Sequence, residues 1–200
     1  MTEAAAVAET VDEVAPGVWH WSISDERIGG FVGDSYAVAG EEGAVLIDPH
    51  RLAPAALAQL GPVEAIVLSN GSHQRSTWRL RKELGVPVHA PELAKEIDEE
   101  PDERYGDGDE LPGGLRAVYT PGAGTTQHAL LRGELAIVPD VLLRMPDGKV
   151  VLVPEEYAHD VDEARRSAEK LLELPFSVLL LLHGGVVEHD PKAQIRAAIA

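Results

Sequence analysis

The chain contains no cysteine. Disulfides, thiolate metal sites and a cysteine nucleophile are therefore excluded. Basic residues are scarce: 17 Lys and Arg stand against 34 Asp and Glu, a formal net charge of −17. Nothing resembles the basic stripe that an electrostatic grip on nucleic acid needs, and anionic lipid would repel such a chain. Aromatic residues make up only 4%, so Leu, Val, Ile and Ala must fill the core. No apolar run approaches the roughly 20 residues of a membrane span. The start of the chain carries Glu3, Glu9, Asp12 and Glu13 and no basic cluster, so it does not read as a signal peptide. These absences lead to an expected cytoplasmic protein. Its partner is expected to be an unknown small molecule or protein, with neither nucleic acid nor membrane involved.

What is present is an alternation of strands and helices. Two hundred residues, 44% of them hydrophobic, suit a single domain over 15–200 with a flexible arm at 1–14. Val18-Trp19-His20-Trp21-Ser22-Ile23 alternates and reads as a strand. Ser35–Ala39 and Ala44–Asp48 read as a hairpin about Gly40-Glu41-Glu42-Gly43. Helical spacing follows over Leu52–Leu60, a buried strand over Ala65–Ser69, a helix over Ser76–Leu84, a strand over Val86–His89 and an acidic helix over Leu93–Glu100. The second half repeats the layout. Strands are predicted at Leu115–Thr120, Ala129–Arg132, Leu135–Val138 and Phe176–Leu182, and helices at Asp162–Leu174 and Pro191–Ala200. Gly29-Gly30-Phe31-Val32-Gly33 has neither a following helix nor a Walker lysine, which argues against a phosphate cradle.

Five landmarks occur in order: Tyr36-Ala37-Val38 with Val45-Leu46-Ile47-Asp48-Pro49, Ile66-Val67-Leu68-Ser69-Asn70-Gly71-Ser72-His73, Thr120-Pro121-Gly122, Ile137-Val138-Pro139-Asp140, and Leu182-His183-Gly184. In this the chain resembles the metallo-β-lactamase superfamily from Trp19 to its last helix. The resemblance implies a four-layer αββα sandwich of two mixed β-sheets. It also implies a hydrolytic site of two metals, commonly zinc, held by His and Asp at strand ends. Carried over residue by residue, the metal-binding turn falls on Asn70, Ser72, Gln74 and Arg75, and the His after the Thr-Pro-Gly loop falls on Ala123, Gly124 or Thr125. None of these is a family ligand. Asp140 matches the bridging Asp and His183 the last His.

Two donors do not hold a zinc that wants three or four, and a guanidinium at Arg75 would repel a dication. The expectation is therefore a metallo-β-lactamase-like protein with a degenerate metal site and no metal or other cofactor. It would act as a binding module or pseudoenzyme whose pocket holds Asn70, Ser72, His73, Gln74, Arg75, Asp140 and His183. Arg75 is expected to form a salt bridge with Asp140. His73 reads first as a turn histidine bonded to backbone. Its alternative reading is an improvised ligand, giving a metal-dependent hydrolase with a mononuclear site of His73, Asp140 and His183 around a single zinc or other divalent ion.

Overall fold

Alternation along the strands sorts the apolar side chains onto two faces, and the two faces build different cores. The computed structural model describes residues 3–25 and 31–200. Gly29 and Gly30 of the glycine-rich stretch lie outside the described residues. A first sheet orders seven strands as in the chain: β1 (Asp12–Ala15), β2 (Val18–Asp25), β3 (Phe31–Ala39), β4 (Ala44–Ile47), β5 (Val63–Val67), β6 (Val88–Pro91) and β7 (Glu103–Tyr105). Strands β8 (Glu110–Leu111), β9 (Leu115–Tyr119), β10 (His128–Arg132) and β11 (Leu135–Val138) begin the second sheet. A hairpin of β12 (Leu142–Arg144) and β13 (Val150–Leu152) stands apart from both sheets. Strands β14 (Val178–Leu181) and β15 (Gly185–Val187) complete the second sheet in the order β15-β14-β11-β10-β9-β8. Pairing is antiparallel from β1 to β4 and parallel from β4 to β7; β11 and β14 are also parallel. Both sheets are thus mixed.

Three apolar clusters separate four layers. Tyr36, Val38, Val45, Ile47 and Val67 meet Leu115, Leu130, Ile137 and Leu180 between the sheets. Their sequence neighbours Ala37, Leu46 and Ile66 face outward onto α1 (Pro54–Leu57) and α2 (Thr77–Leu84). Ala136, Val138, Leu179 and Leu181 face the opposite way, toward α3 (Val161–Leu172) and α4 (Pro191–Ile199). This is the αββα sandwich implied by the resemblance. Helix α3 starts where the Asp160 carboxylate accepts from Glu163 N at 2.9 Å, a side-chain cap at the positive helix end. Among the described residues, no helix is long and apolar enough to cross a membrane.

Several expectations need correction. The arm predicted over 1–14 is docked from Ala8 onward. Ala8 N donates to Arg51 O at 2.9 Å, Ala53 N donates to Ala8 O at 2.8 Å, and Asp12–Ala15 pairs with β2. Ala8 and Val11 bury small apolar faces there, a pattern too short to show as a strand period. No helix forms over Leu93–Glu100. Asp98 N donates to the Gln74 side chain at 2.7 Å, and a run of acids supplies no apolar stripe. The helix predicted over Leu52–Leu60 shrinks to one turn of α-helix and one of tighter helix.

Tyr36 crosses between the sheets: it is fully buried and its hydroxyl donates to Leu181 O at 2.8 Å. Tyr36→Phe should lower unfolding free energy by about 1 kcal/mol by leaving that carbonyl short of a partner. Tyr36→Ala should lower it by about 3–5 kcal/mol through the added cavity. Urea unfolding of the two variants measures both; equal losses would show that the hydroxyl, and not the ring, is the main contribution.

Candidate metal centre

Two pairs of parallel strands deliver the site. β4 runs into Asp48, β5 into Ser69-Asn70, β11 into Asp140 and β14 into His183. Carboxyl ends of parallel strands are where sheets of this kind place ligands, because the chain must turn away there and leave polar groups in a crevice. Two non-glycine residues of the region sit at positive φ, Asp48 at 43° and Arg75 at 42°. Such strain persists only where surrounding bonds over-determine it.

The Asp48 carboxylate is fully buried and fully used. One oxygen accepts Ser69 N at 2.7 Å; the other accepts the Ser69 hydroxyl and His73 Nδ1, the latter at 3.0 Å. An ionised carboxylate only accepts, so His73 carries its proton on Nδ1 and turns Nε2 toward Asp140 Oδ1 at 3.2 Å. His183 mirrors it: Nδ1 donates to Val32 O at 2.9 Å, and Nε2 lies 3.3 Å from the same Asp140 oxygen. The other oxygen of Asp140 accepts from Gln127 Nε2 at 2.7 Å. Asp140 Oδ1 itself is buried with no directed hydrogen bond.

Three lone-pair atoms therefore face one another, all within 4.8 Å. Two neutral imidazoles and a carboxylate so arranged repel unless a cation lies among them or an imidazole takes a proton. Two imidazole nitrogens and one carboxylate oxygen are also the donor set of catalytic zinc sites, which keep a further position open. The anchored Nδ1–H groups are the outer support that such ligands use to fix tautomer and ring angle. The residues present fit one divalent ion. In the metal-free protein the same contacts act on protons. Burial works against a charged His73, but Asp140 and Asp48 outweigh it and raise its pKa. Burial likewise opposes an ionised Asp140, yet His73 and His183 hold it well below the usual carboxylate range.

The positions where the resemblance puts ligands have internal work. Asn70 is fully buried, and its side-chain oxygen accepts Ser72 N at 2.8 Å, Ser72 Oγ at 2.6 Å and His73 N at 3.0 Å, so it shapes the turn that presents His73. Gln74 accepts from Trp78 Nε1 at 2.8 Å and donates to Gly71 O at 3.1 Å. Arg75 does not form the expected salt bridge with Asp140. Its guanidinium donates to Asp34 O, to Asp48 O at 2.8 Å and to Ser35 Oγ at 3.3 Å. The reason is geometric: with Arg75 at positive φ, its side chain reaches the backbone carbonyls of Asp34 in β3 and Asp48 after β4. The cleft beside the centre is lined by Asp140 and His183 but by neither Asn70 nor Arg75. His128 stays out of the centre; its Nδ1 lies 3.0 Å from Thr126 O, its ring packs on Tyr105 and Tyr119, and burial lowers its pKa.

Two features of the site leave little trace in the sequence. Gln127 aligns Asp140, and its only signal is its place after the Thr-Pro-Gly loop. His20 Nε2 meets Asp34 Oδ1 at 2.6 Å, while Asp34 Oδ2 accepts Gly184 N at 2.7 Å and Gly185 N at 3.1 Å. These bonds hold the backbone that follows His183. Gly184 has φ 118°, and a side chain there would collide with the Arg144 backbone.

Arg75→Ala should cost about 1–3 kcal/mol by orphaning buried carbonyls, and Arg75→Lys should recover little, because one ammonium cannot reproduce the fork. Denaturant unfolding measures this; an unchanged midpoint would show that water replaces the guanidinium. The metal-free protein should also lose stability at both pH extremes. His73, raised from 6.5, contributes fully below its unfolded pKa and loses that contribution as pH rises through the folded value. Asp140, depressed, contributes above its unfolded value of about 3.9 and loses that contribution as pH falls through the folded value. Melting temperature against pH should show both flanks, and His73→Gln should flatten the alkaline one.

Comparison with known proteins bears on the same fold. A family model described as metallo-beta-lactamase superfamily matches residues 13–197. No curated protein matches the chain. Among solved structures, a metallo-beta-lactamase from Pontibacter korlensis superimposes with a TM-score of 0.77 at 17% identity, over 96% of this chain and 97% of that one. A metallo-beta-lactamase family protein from Thermus thermophilus gives 0.71 at 18% identity, over 94% and 79%. An archaeal superfamily protein from Sulfolobus tokodaii gives 0.67 at 16%, over 84% and 78%. At such identities the structures are alike in fold alone, whereas the family model spans nearly the whole sequence: the chain belongs to the metallo-β-lactamase superfamily.

Proposed function

We propose that the protein is a metal-dependent hydrolase with a mononuclear centre whose ligands are His73, Asp140 and His183. The observation that carries this reading is the convergence of two anchored imidazoles on the buried Oδ1 of Asp140, an oxygen that accepts no directed hydrogen bond. The donor count that argued against metal rested on Asp140 and His183 alone; His73 supplies a third donor. The guanidinium that argued against metal keeps its charge, but it is turned onto backbone carbonyls and set among the carboxylates of Asp48, Asp140 and Asp34, which offset it. A divalent ion held there supplies Lewis acidity, which polarises a carbonyl and makes water nucleophilic near neutral pH. The chain's own groups do the rest. Asp48 fixes the His73 tautomer, Val32 O fixes that of His183, and Gln127 orients Asp140. Asp34 braces the turn after His183 from the side of the cleft, where substrate would lie.

A second reading, a binding module with a degenerate centre, is supported by Asn70, Ser72, Gln74 and Arg75. These residues replace the usual ligands of the family, and each is hydrogen-bonded within the turn or to neighbouring strands. Metal analysis separates the two readings. The hydrolase should purify with, or take up, about one divalent ion per chain, as three ligands and an open position require. Chelator should lower its melting temperature, since an ion held by the folded state alone stabilises it. His73→Ala and His183→Ala should abolish uptake and ester hydrolysis together. Stoichiometry well below one, with a melt indifferent to chelator, would leave the binding module as the reading.

A further inference from the structure

The cleft beside the centre has a volume of about 1000 Å³, the size of pockets that enclose small organic ligands. One wall is the β12–β13 hairpin and the segment leaving it, with Leu143, Met145 and Val153; the other carries Val32 and Val186. Four large hydrophobic side chains are exposed among the described residues: Val32 at 46%, Leu93 at 46%, Met145 at 40% and Tyr157 at 64%. All but Leu93 rim this cleft. On a chain of net charge −17, apolar exposure gathered around one concavity marks a binding surface.

Charge narrows the class of ligand. Arg144 lines the cleft with its guanidinium held on Gly148 O and Val186 O, both at 3.3 Å, and its one charge is outnumbered by the lining carboxylates of Asp34, Asp140 and Glu188. His20 is taken by Asp34. Glu188 and Asp140 add negative charge to the lining. An anionic ligand would meet this field and the long-range field of the whole chain, both repulsive.

We propose that the cleft binds an uncharged ligand with an extended apolar chain, a neutral acyl ester whose ester group sits at Asp140 and His183 and whose chain lies against Val32, Leu143, Met145 and Tyr157. The placement of the ester rests on the hydrolase reading; the affinity for a neutral apolar chain does not. Hydrolysis consumes one water. Its oxygen bonds to the acyl carbon as the acyl C–O bond breaks; the alcohol leaves with one proton of that water and the acid keeps the other.

Two arms test the inference on the full chain. In the first, neutral N-phenylnaphthylamine is titrated into metal-free protein and followed by fluorescence. It should bind, anionic anilinonaphthalene sulfonate should bind more weakly, and Leu143→Glu should weaken the neutral probe by about tenfold through a charge in the apolar wall. Tyr157→Ser, at an exposed position that folding tolerates, should weaken it by about threefold. Absence of binding, equal affinity for the anionic probe, or indifference to both variants would overturn the inference. So would binding of phosphatidylcholine vesicles that Tyr157→Ser abolishes without any probe uptake, which would assign the rim to a membrane surface. In the second arm, nitrophenyl esters of increasing acyl length are offered to zinc-loaded protein. kcat/KM should rise by up to about fourfold per methylene until the chain fills the cleft. Probe binding without turnover of any ester would sink the hydrolase reading and leave the apolar site standing. Turnover with no dependence on chain length would do the reverse.

Discussion

A buried carboxylate at the end of β4 organises everything around the centre. Asp48 is wholly excluded from water, and an unpaired carboxylate in that position would be ruinous to stability. It is satisfied only if β5 presents the amide and hydroxyl of Ser69 and if the following turn brings His73 Nδ1 within reach. Its backbone takes part as well: Asp48 N donates to Val67 O at 3.0 Å and Asp48 O accepts from Arg75 and from the Ser35 hydroxyl. The positive φ of Asp48 lets side chain and carbonyl point to different partners. One residue thereby joins β3, β4, β5 and the turn before α2, and it also fixes the tautomer of the imidazole that faces Asp140.

The turn after β5 is held by hydrogen bonds from its own side chains. Asn70 and Gln74 tie the loop to itself and to α2. Arg75 supplies donors to the carbonyls of Asp34 within β3, Asp48 just after β4 and Leu182 just after β14, the last at 3.5 Å and the most distant. A guanidinium suits this task because it is a rigid, planar fork of donors that keeps its charge. The positive charge is held near Asp34, Asp48 and Asp140, which favour it against the cost of burial. The outcome is a rigid turn with a single imidazole, His73, facing the space between the sheets.

Much of the fold was legible in the residues. Short continuous apolar runs in Tyr36–Val38, Val45–Ile47, Leu135–Val138 and Leu179–Leu182 specified strands, because a strand covered on both faces needs an apolar residue at every position. The amphipathic run over Asp162–Leu174 specified α3 to within two residues. Short or edge elements were not legible. β1, β7 and β15 span three or four residues, too few for a period to emerge, and they exist because a neighbouring strand offers them unpaired backbone. The helix expected after Leu93 failed because local propensity was set against a competing acceptor, the Gln74 side chain, that is remote in sequence.

The site divides along the same line. Residue type and local order were enough to put Asp140 and His183 at strand ends, to put Asn70, Ser72, Gln74 and Arg75 in the turn, and to make the chain strongly acidic. They were not enough to say that His73, and not Arg75, approaches Asp140, that Gln127 holds its other oxygen, or that three of the exposed hydrophobics rim one cleft. A few ångströms and the direction of a lone pair separate those alternatives. Both are set by packing two sheets face to face, which brings residues far apart in the chain into contact and leaves no trace in the spacing of either.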